Sequence, residues 1–229
     1  MNKSSFIGKE HFTFDDLVEL IKILRSPEGC PWDRVQTHRS IRNNFLEEAY
    51  EAVEGIDLAD AHILREELGD VLLQVLLHAE ISEKDGEFAL QDVLDGLGKK
   101  LVYRHPHVFG EMTAENEAQA LDNWDALKRR EKGQKTSVQA VLSVAASLPA
   151  LMRAQKLSKK AIKNGLWKQE GDIIEHLSAF LQTPNEQNAG RILFEIAAMC
   201  GTKKIDAEQA LFNENRNFCE QLAKKENIR

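Results

Sequence analysis

Between Leu46 and Leu77 the chain reads LEEAYEAVEGIDLADAHILREELGDVLLQVLL, and this stretch limits the possible folds more than any other. Glu48 and Glu51 are three residues apart, Glu47 and Glu51 four, and Glu67 and Asp70 three. Side chains at those spacings share one face of an α-helix. Val71, Leu72, Leu73, Val75, Leu76 and Leu77 follow Asp70 almost without a break. A helix apolar nearly all round is buried, so the acids just ahead of that run are expected to be partly enclosed. The connection around Gly55 to Asp60 is short, which predicts an antiparallel helix pair. Facing clusters in such a pair gather four or five carboxylates into one small volume. Like charges so close raise one another's pKa unless a cation sits among them. An all-oxygen ligand set suits magnesium or manganese better than zinc. The competing account is a Glu-rich helix pair whose acids are simply solvated, and spacing alone leaves both open.

The rest of the chain narrows the function classes. Its 229 residues can build one large domain or two small ones, and the net charge is −7. No basic block dominates, so general nucleic-acid binding is not expected. Cys30, Cys200 and Cys219 are odd in number and widely spaced, with no CxxC. That pattern fits a reducing cytoplasm rather than a disulfide framework or a zinc ribbon. The opening MNKSSFIGKEHF lacks the apolar core of a signal peptide. No apolar run approaches membrane-spanning length, so no membrane partner is expected.

Periodicity predicts an all-α chain. Residues 1–12 look like a loose leader. Thr13 and Asp16 then mark the start of a helix through FDDLVELIKILR, which Pro27, Gly29 and Pro31 end. The loop that follows carries Trp32, Asp33, Gln36 and Thr37. Trp32 is expected either to anchor the loop against the core or to offer a stacking platform beside the acidic site. The acidic helices are expected at about 39–55 and 58–84. A further helix at 89–103 places Lys100 and Arg104 four apart on one face. Pro106 interrupts helix there, and the HPH of RHPHVF reads as a turn as readily as a chemical site. An amphipathic helix is expected at 115–132, a connector at 133–146, and more helices at 147–229, among them DIIEHLSAFL and AGRILFEIAAMC.

A weak internal repeat joins the halves. Gly69–Val75 reads GDVLLQV, and Gly190–Ile196 reads GRILFEI. Arg191 takes the place of Asp70. Glu175 and His176 stand for Glu47 and Glu48, Ala179 for Glu51 and Asn188 for Glu67. The second copy would therefore keep the scaffold and lack the metal ligands.

Ferritin-like di-iron bundles also gather carboxylates on helices, but they need Glu-x-x-His pairs, and no Glu here has His three residues on. A redox-inert hard-ion site remains. With Lys100 and Arg104 nearby, such a site suits a substrate with several phosphates. No P-loop pattern is present, so a kinase or motor ATPase is not expected.

EEAYE at 47–51 and ELGD at 67–70, separated by fifteen residues, resemble the EExxE…ExxD signature of the MazG nucleotide pyrophosphohydrolases. CPWDRVQTH (30–38), RHPHVF (104–109), WDALK (124–128) and SLPALMRAQK (147–156) are also similar to MazG segments. The resemblance runs to about residue 160. It implies an antiparallel all-α bundle that works as a homodimer. It also implies magnesium-dependent hydrolysis of nucleoside triphosphates between the α and β phosphates, giving a monophosphate and pyrophosphate. On that basis Glu48, Glu51, Glu67 and Asp70 would be the metal ligands and Glu47 an accessory acid that orients water. Lys100 and Arg104 would contact phosphate. Long members carry two tandem copies, which here implies a catalytic domain at 1–132, a connector at 133–146 and a degenerate copy at 147–229. In that copy NGLWK (164–168) stands for a GFDW-like stretch, and Asn215 and Cys219 for the Lys and Arg. The alternative is a non-catalytic dimeric helical module that senses nucleotides.

Overall fold

The structure, a computed structural model, describes residues 3–168 and 173–225. Among the described residues there is helix and no strand, as the periodicity predicts. The chain divides into two compact units, Met1–Met112 and Thr113–Arg229.

The first unit opens with a short 3₁₀ turn, Lys3–Phe6, within the stretch expected to be a loose leader. Helix α1 (Phe14–Leu24) follows, and its start is closed by a reciprocal cap. The Asp16 amide donates to Thr13 Oγ1 at 3.2 Å, and the Thr13 amide donates to Asp16 Oδ2 at 2.7 Å. The Lys9 ammonium at 2.6 Å, with the Thr13 amide and hydroxyl, pulls the Asp16 carboxyl down to about 2. Helices α2 (Arg42–Asp57) and α3 (Ala61–Asp85) form a hairpin across Leu58–Asp60. Asp60 caps α3 by accepting from the His62 and Ile63 amides. Gly86, at φ 73°, ends α3 in the left-handed conformation that glycine adopts without strain. Helices α4 (Leu90–Arg104) and α5 (Pro106–Phe109) complete the unit. RHPHVF is thus a break at His105 followed by one helical turn with Pro106 at its first position, where its missing N–H costs nothing. His105 is spent structurally, its Nδ1 lying 2.6 Å from the Leu101 carbonyl.

The core of this unit is Ile21 from α1, Ile41, and Leu76, Leu77 and Ile81 from α3. Of the apolar run after Asp70, Leu76 and Leu77 are buried, whereas Val71, Leu72, Leu73 and Val75 are half-buried, so the helix is enclosed on one side only. Gly55 lets α2 approach α3 closely. A Cβ there would sit 2.8 Å from the Leu64 amide nitrogen and 3.0 Å from its Cα.

The loop between α1 and α2 is tied down by polar contacts. Arg25 is buried and donates from Nη1 to the Asp33 carbonyl and from Nη2 to the Gln36 carbonyl at 3.1 Å. Lys84 Nζ donates to the Arg25 carbonyl at 2.5 Å and pairs with the buried Glu80 at 3.2 Å. Farther along, His38 and His78 lie with their rings only 3° apart in plane, and their Nδ1 atoms are 2.6 Å apart. That is an edge-to-edge hydrogen bond. Ser82 Oγ donates to Glu87 at 3.4 Å, so it accepts from His38 Nε2 at 3.0 Å. The bare nitrogen of a neutral His38 is then Nδ1, and His78 is the donor.

In the second unit α6 (Glu117–Glu131), α7 (Ser137–Leu142), α8 (Ala150–Lys163), α9 (Ile173–Gln182), α10 (Glu186–Thr202) and α11 (Ala207–Lys225) follow in order. The predicted helix DIIEHLSAFL begins at Asp172, outside the described residues, and is helical from Ile173 on. Small residues Ala154, Ala197 and Ala207 let α8, α10 and α11 pack closely. Gln155 joins α8 to the start of α11, donating to the Ile205 carbonyl and accepting from the Ala207 amide. Helix α6, expected to belong with the first domain, groups with the second unit. Lys163 on α8 reaches Asp122 at 2.8 Å and Asp125 at 2.7 Å on α6, and Arg129 of α6 donates to Asn164 at the end of α8. The segment 133–146, expected to be a connector, holds α7 and packs on α8.

Two outcomes test this packing. Gly55→Ala puts a methyl against Leu64 backbone and should destabilise the fold by about 1–3 kcal/mol, read as a lower denaturation midpoint; an unchanged midpoint would contradict the close approach. Burial, then the neighbouring His38 charge, holds the His78 pKa below its ordinary 6.5. The unfolded chain therefore binds protons first. Stability is full above 6.5 and is lost as the pH falls from there toward the lowered value. His78→Gln should flatten that step in a melting-temperature series over pH, and a parent-like step in the variant would show that the pair is not its source.

Candidate active site

The antiparallel hairpin sets the register that gathers the acids. Gly55 faces Leu64 near the turn, and residues farther from the turn face one another in step. One carboxylate oxygen from each of Glu48, Glu67 and Asp70 lies within 4.8 Å of the others, and all three residues are half-buried. Among the described residues this is the one group of three or more acids, histidines or cysteines placed to hold an ion.

Electrostatics fixes where the other acids stand. Partial burial comes first in raising the Glu48 pKa above its ordinary value, followed by repulsion from Asp70, Glu51, Glu67 and, last, Glu47. Glu67 is raised by partial burial, then by Glu51, Asp70 and Glu66, and by a hydrogen bond with Glu51. Glu51 therefore stands beside the trio. Glu47 is exposed and the most weakly coupled of the five. The sequence-predicted set is thus brought together as a trio with Glu51 alongside and Glu47 at the edge.

Lys100 and Arg104, expected to contact phosphate, lie on α4, which packs on α3. Lys100 is half-buried, whereas Arg104 at 7% exposure is buried. A buried guanidinium has to be paired or hydrogen-bonded, so substituting Arg104 would disturb the fold as well as any phosphate contact. Trp32 is 57% exposed. It is not the core anchor that was one of its two expected roles, because Arg25 holds the loop in its place. Its ring is left on the surface, with its backbone carbonyl accepting from Gln36 Nε2 at 2.9 Å.

Arg25, His38, His78 and Ser82 are structural partners that the sequence did not single out. Arg25 carried one signal: it closes α1 just before a loop with two prolines and a glycine, whose carbonyls need donors. The His38–His78 contact spans forty residues and left no local pattern.

The positions of the second unit that the internal repeat aligns with the acids have other surroundings. Asn188, at the place of Glu67, donates from Nδ2 to the Thr183 carbonyl at 2.9 Å and the Ala179 carbonyl at 3.3 Å. It closes the end of α9. Arg191 and Glu175 are exposed.

Comparison with known proteins decides the family. The profile of the MazG nucleotide pyrophosphohydrolase domain matches residues 36–109. The chain is 37% identical over 224 residues to the nucleoside triphosphate pyrophosphohydrolase/pyrophosphatase MazG of Thermotoga maritima, covering 94% of this chain and 86% of that protein. This chain belongs to the MazG family. It is also 36% identical over 232 residues to the nucleoside triphosphate pyrophosphohydrolase of Escherichia coli K12, covering 93% and 87%. A third relative, the uncharacterized protein YabN of Bacillus subtilis, is 41% identical over 235 residues, covering 94% of this chain and 48% of that protein. The MazG profile begins at Gln36 and ends at Phe109, so it takes in all five acids, Lys100 and Arg104, and leaves out Trp32.

The raised acids make a signed prediction. A folded-state pKa above the ordinary 4.5 means that the native state holds its proton longer than the unfolded chain. The metal-free fold then has its full stability from this group below 4.5 and loses it as the pH rises through the raised value. Glu67→Gln removes one charge from the cluster. In EDTA at pH 7 it should melt above the parent, and the gap should close toward pH 4. A variant that melts below the parent at pH 7 would show that the cluster is not repulsive.

Proposed function

We propose that this chain hydrolyses nucleoside triphosphates between the α and β phosphates, giving a nucleoside monophosphate and pyrophosphate, with magnesium held by Glu48, Glu51, Glu67 and Asp70. The observation that carries this is the trio of half-buried carboxylates within 4.8 Å, with Glu51 beside it. The donor set fits the ion: it is all oxygen and strongly anionic, and mutual repulsion keeps it in want of a counter-charge. Manganese, which takes the same donors, is the alternative ion. The relatives in Thermotoga maritima and Escherichia coli are named for this reaction type.

When bound, the ion supplies neutralisation of phosphate oxygens and a lowered pKa for coordinated water. The chain's own residues supply the rest. Glu47, exposed and weakly coupled, is free to accept a hydrogen bond from the attacking water and so to orient it. Lys100 contributes a point charge to the phosphates and Arg104 a bidentate fork. Trp32 presents a ring face on which a base can stack.

The assembly we propose is a homodimer. On the first unit Tyr50, Val53 and Ile56 of α2 and Leu97 and Leu101 of α4 are exposed. So much apolar surface on one compact unit marks an interaction surface. A cytoplasmic location fits three free cysteines, one of them exposed. No helix among the described residues is long and apolar enough to cross a membrane.

A panel of nucleoside and deoxynucleoside triphosphates, with detection of monophosphate and pyrophosphate, tests the reaction. Activity should need magnesium and stop on chelation. Glu67→Gln should lower it by at least ~100-fold, the scale of losing a metal-activated nucleophile. Alanine at Glu48 and Glu51 together should abolish it. Lys100→Ala should weaken triphosphate handling and spare the fold, which makes it a cleaner probe than the buried Arg104. Orthophosphate in place of pyrophosphate as product would reject the α–β cleavage.

A further inference from the structure

The second unit gathers cations along two hollows in a chain whose net charge is −7. Two adjoining hollows of about 160 and 540 Å³ lie along α6, the turn after it, and α8. They share Ala126, Arg129 and Gln134. Together six cations line them against two aspartates, and those two, Asp122 and Asp125, are engaged by Lys163. The larger hollow is lined by Arg129, Arg130 and Lys135, with no acid among its described residues.

Two of these cations, Arg129 and Lys160, are held in place. Arg129 Nη2 donates to Asn164 Oδ1, and Asn164 Nδ2 donates to the Lys160 carbonyl at 2.7 Å. Lys160 Nζ donates to the Ala140 carbonyl at 2.9 Å and to Ser143 Oγ at 3.3 Å. A guanidinium has five N–H donors and an ammonium three, so both groups keep donors beyond these bonds. Partial burial first, and then repulsion from Lys132, Arg129 and Lys156 against the pull of Asp125, lower the Lys160 pKa. The fold is holding mutually repelling cations in fixed positions beside a cavity, an arrangement that an anion would relieve.

We propose that α6, the turn at 132–136 and α8 form a binding site for a small anion carrying two linked phosphoryl groups. A single carboxylate would leave most of the cations unmatched, whereas a diphosphate has the charge and the length to engage both hollows through Arg129. The site uses second-unit residues alone and takes its anion without a divalent metal, which separates it from the acidic hairpin. Two sources share this chemistry, inorganic pyrophosphate and the diphosphate of a nucleotide.

Calorimetry on the full-length chain in EDTA, titrated with inorganic pyrophosphate and separately with a nucleoside diphosphate, tests the site. Pyrophosphate should bind, and Arg130→Gln with Lys135→Gln should weaken it by about tenfold, the scale of one charge-assisted hydrogen bond. Both are exposed rim positions, so the fold should survive. Arg129→Gln should weaken it by a similar factor. Lys100→Ala should leave it unchanged. Tighter binding of the nucleoside diphosphate would assign the site to nucleotides, and equal or weaker binding to the inorganic anion. Absence of metal-free binding by either probe, binding that survives the rim and Arg129 substitutions, or binding lost in Lys100→Ala would each overturn the proposal. None of these readouts depends on turnover, so hydrolysis at the acidic site stands or falls separately.

Discussion

Everything proposed for the acidic site depends on how close α2 comes to α3. Gly55 permits that approach, since any side chain there meets Leu64 backbone. A looser or slipped hairpin would separate Glu48 from Glu67 and Asp70. Repulsion among those acids pushes the helices apart, so something else has to hold them. The core does this about two turns along α3 from Asp70. Leu76, Leu77 and Ile81 pack there with Ile21 and Ile41, and each fully buried aliphatic side chain contributes about 1.5–3 kcal/mol. That burial, not any attraction between the acids, is what holds the hairpin closed around its acidic cluster.

The parts of this architecture that follow local rules were legible in the sequence. The acidic helices, their short connection and the burial of Leu76 and Leu77 come from spacing and turn length alone. The grouping of α6 was not legible, because the contacts of Lys163 with Asp122 and Asp125 span about forty residues. Surface charges at such separations carry no period. The same holds for Arg25 and for the His38–His78 pair. Trp32 shows the opposite failure: an aromatic in a loop is usually an anchor, but here buried Arg25 satisfies the loop carbonyls, and the indole is left exposed.

The second unit combines a similar apolar spacing with different polar residues. Phe194 and Ala197 of α10 still pack against α8 and α11, so the apolar half of the pattern persists. The polar half is inverted. A carboxylate accepts hydrogen bonds, whereas Asn188 donates two to close the end of α9. Arg191, at the place of Asp70, is exposed and positively charged. Neither residue can be turned back into a ligand without giving up its present role or adding the acids that Ala179 and Asn188 lack. Six cations line the hollows along α6 and α8 of the second unit, where the first unit gathers acids on α2 and α3.

The half-exposure of the acid cluster has a chemical consequence on the proposed assignment. Glu48, Glu67 and Asp70 are neither solvated nor enclosed. A closed cage of carboxylates would satisfy a magnesium ion completely and leave no position for substrate. Magnesium keeps several waters and is commonly held by few carboxylates together with substrate phosphates. An open cluster of three, with Glu51 to one side and Glu47 at the rim, has the composition that such shared coordination needs. Full burial would also have pushed the acids' pKa values far enough to neutralise them. Partial burial raises Glu48 and Glu67 and leaves the cluster open on one side, where a cation and a triphosphate are to be brought together.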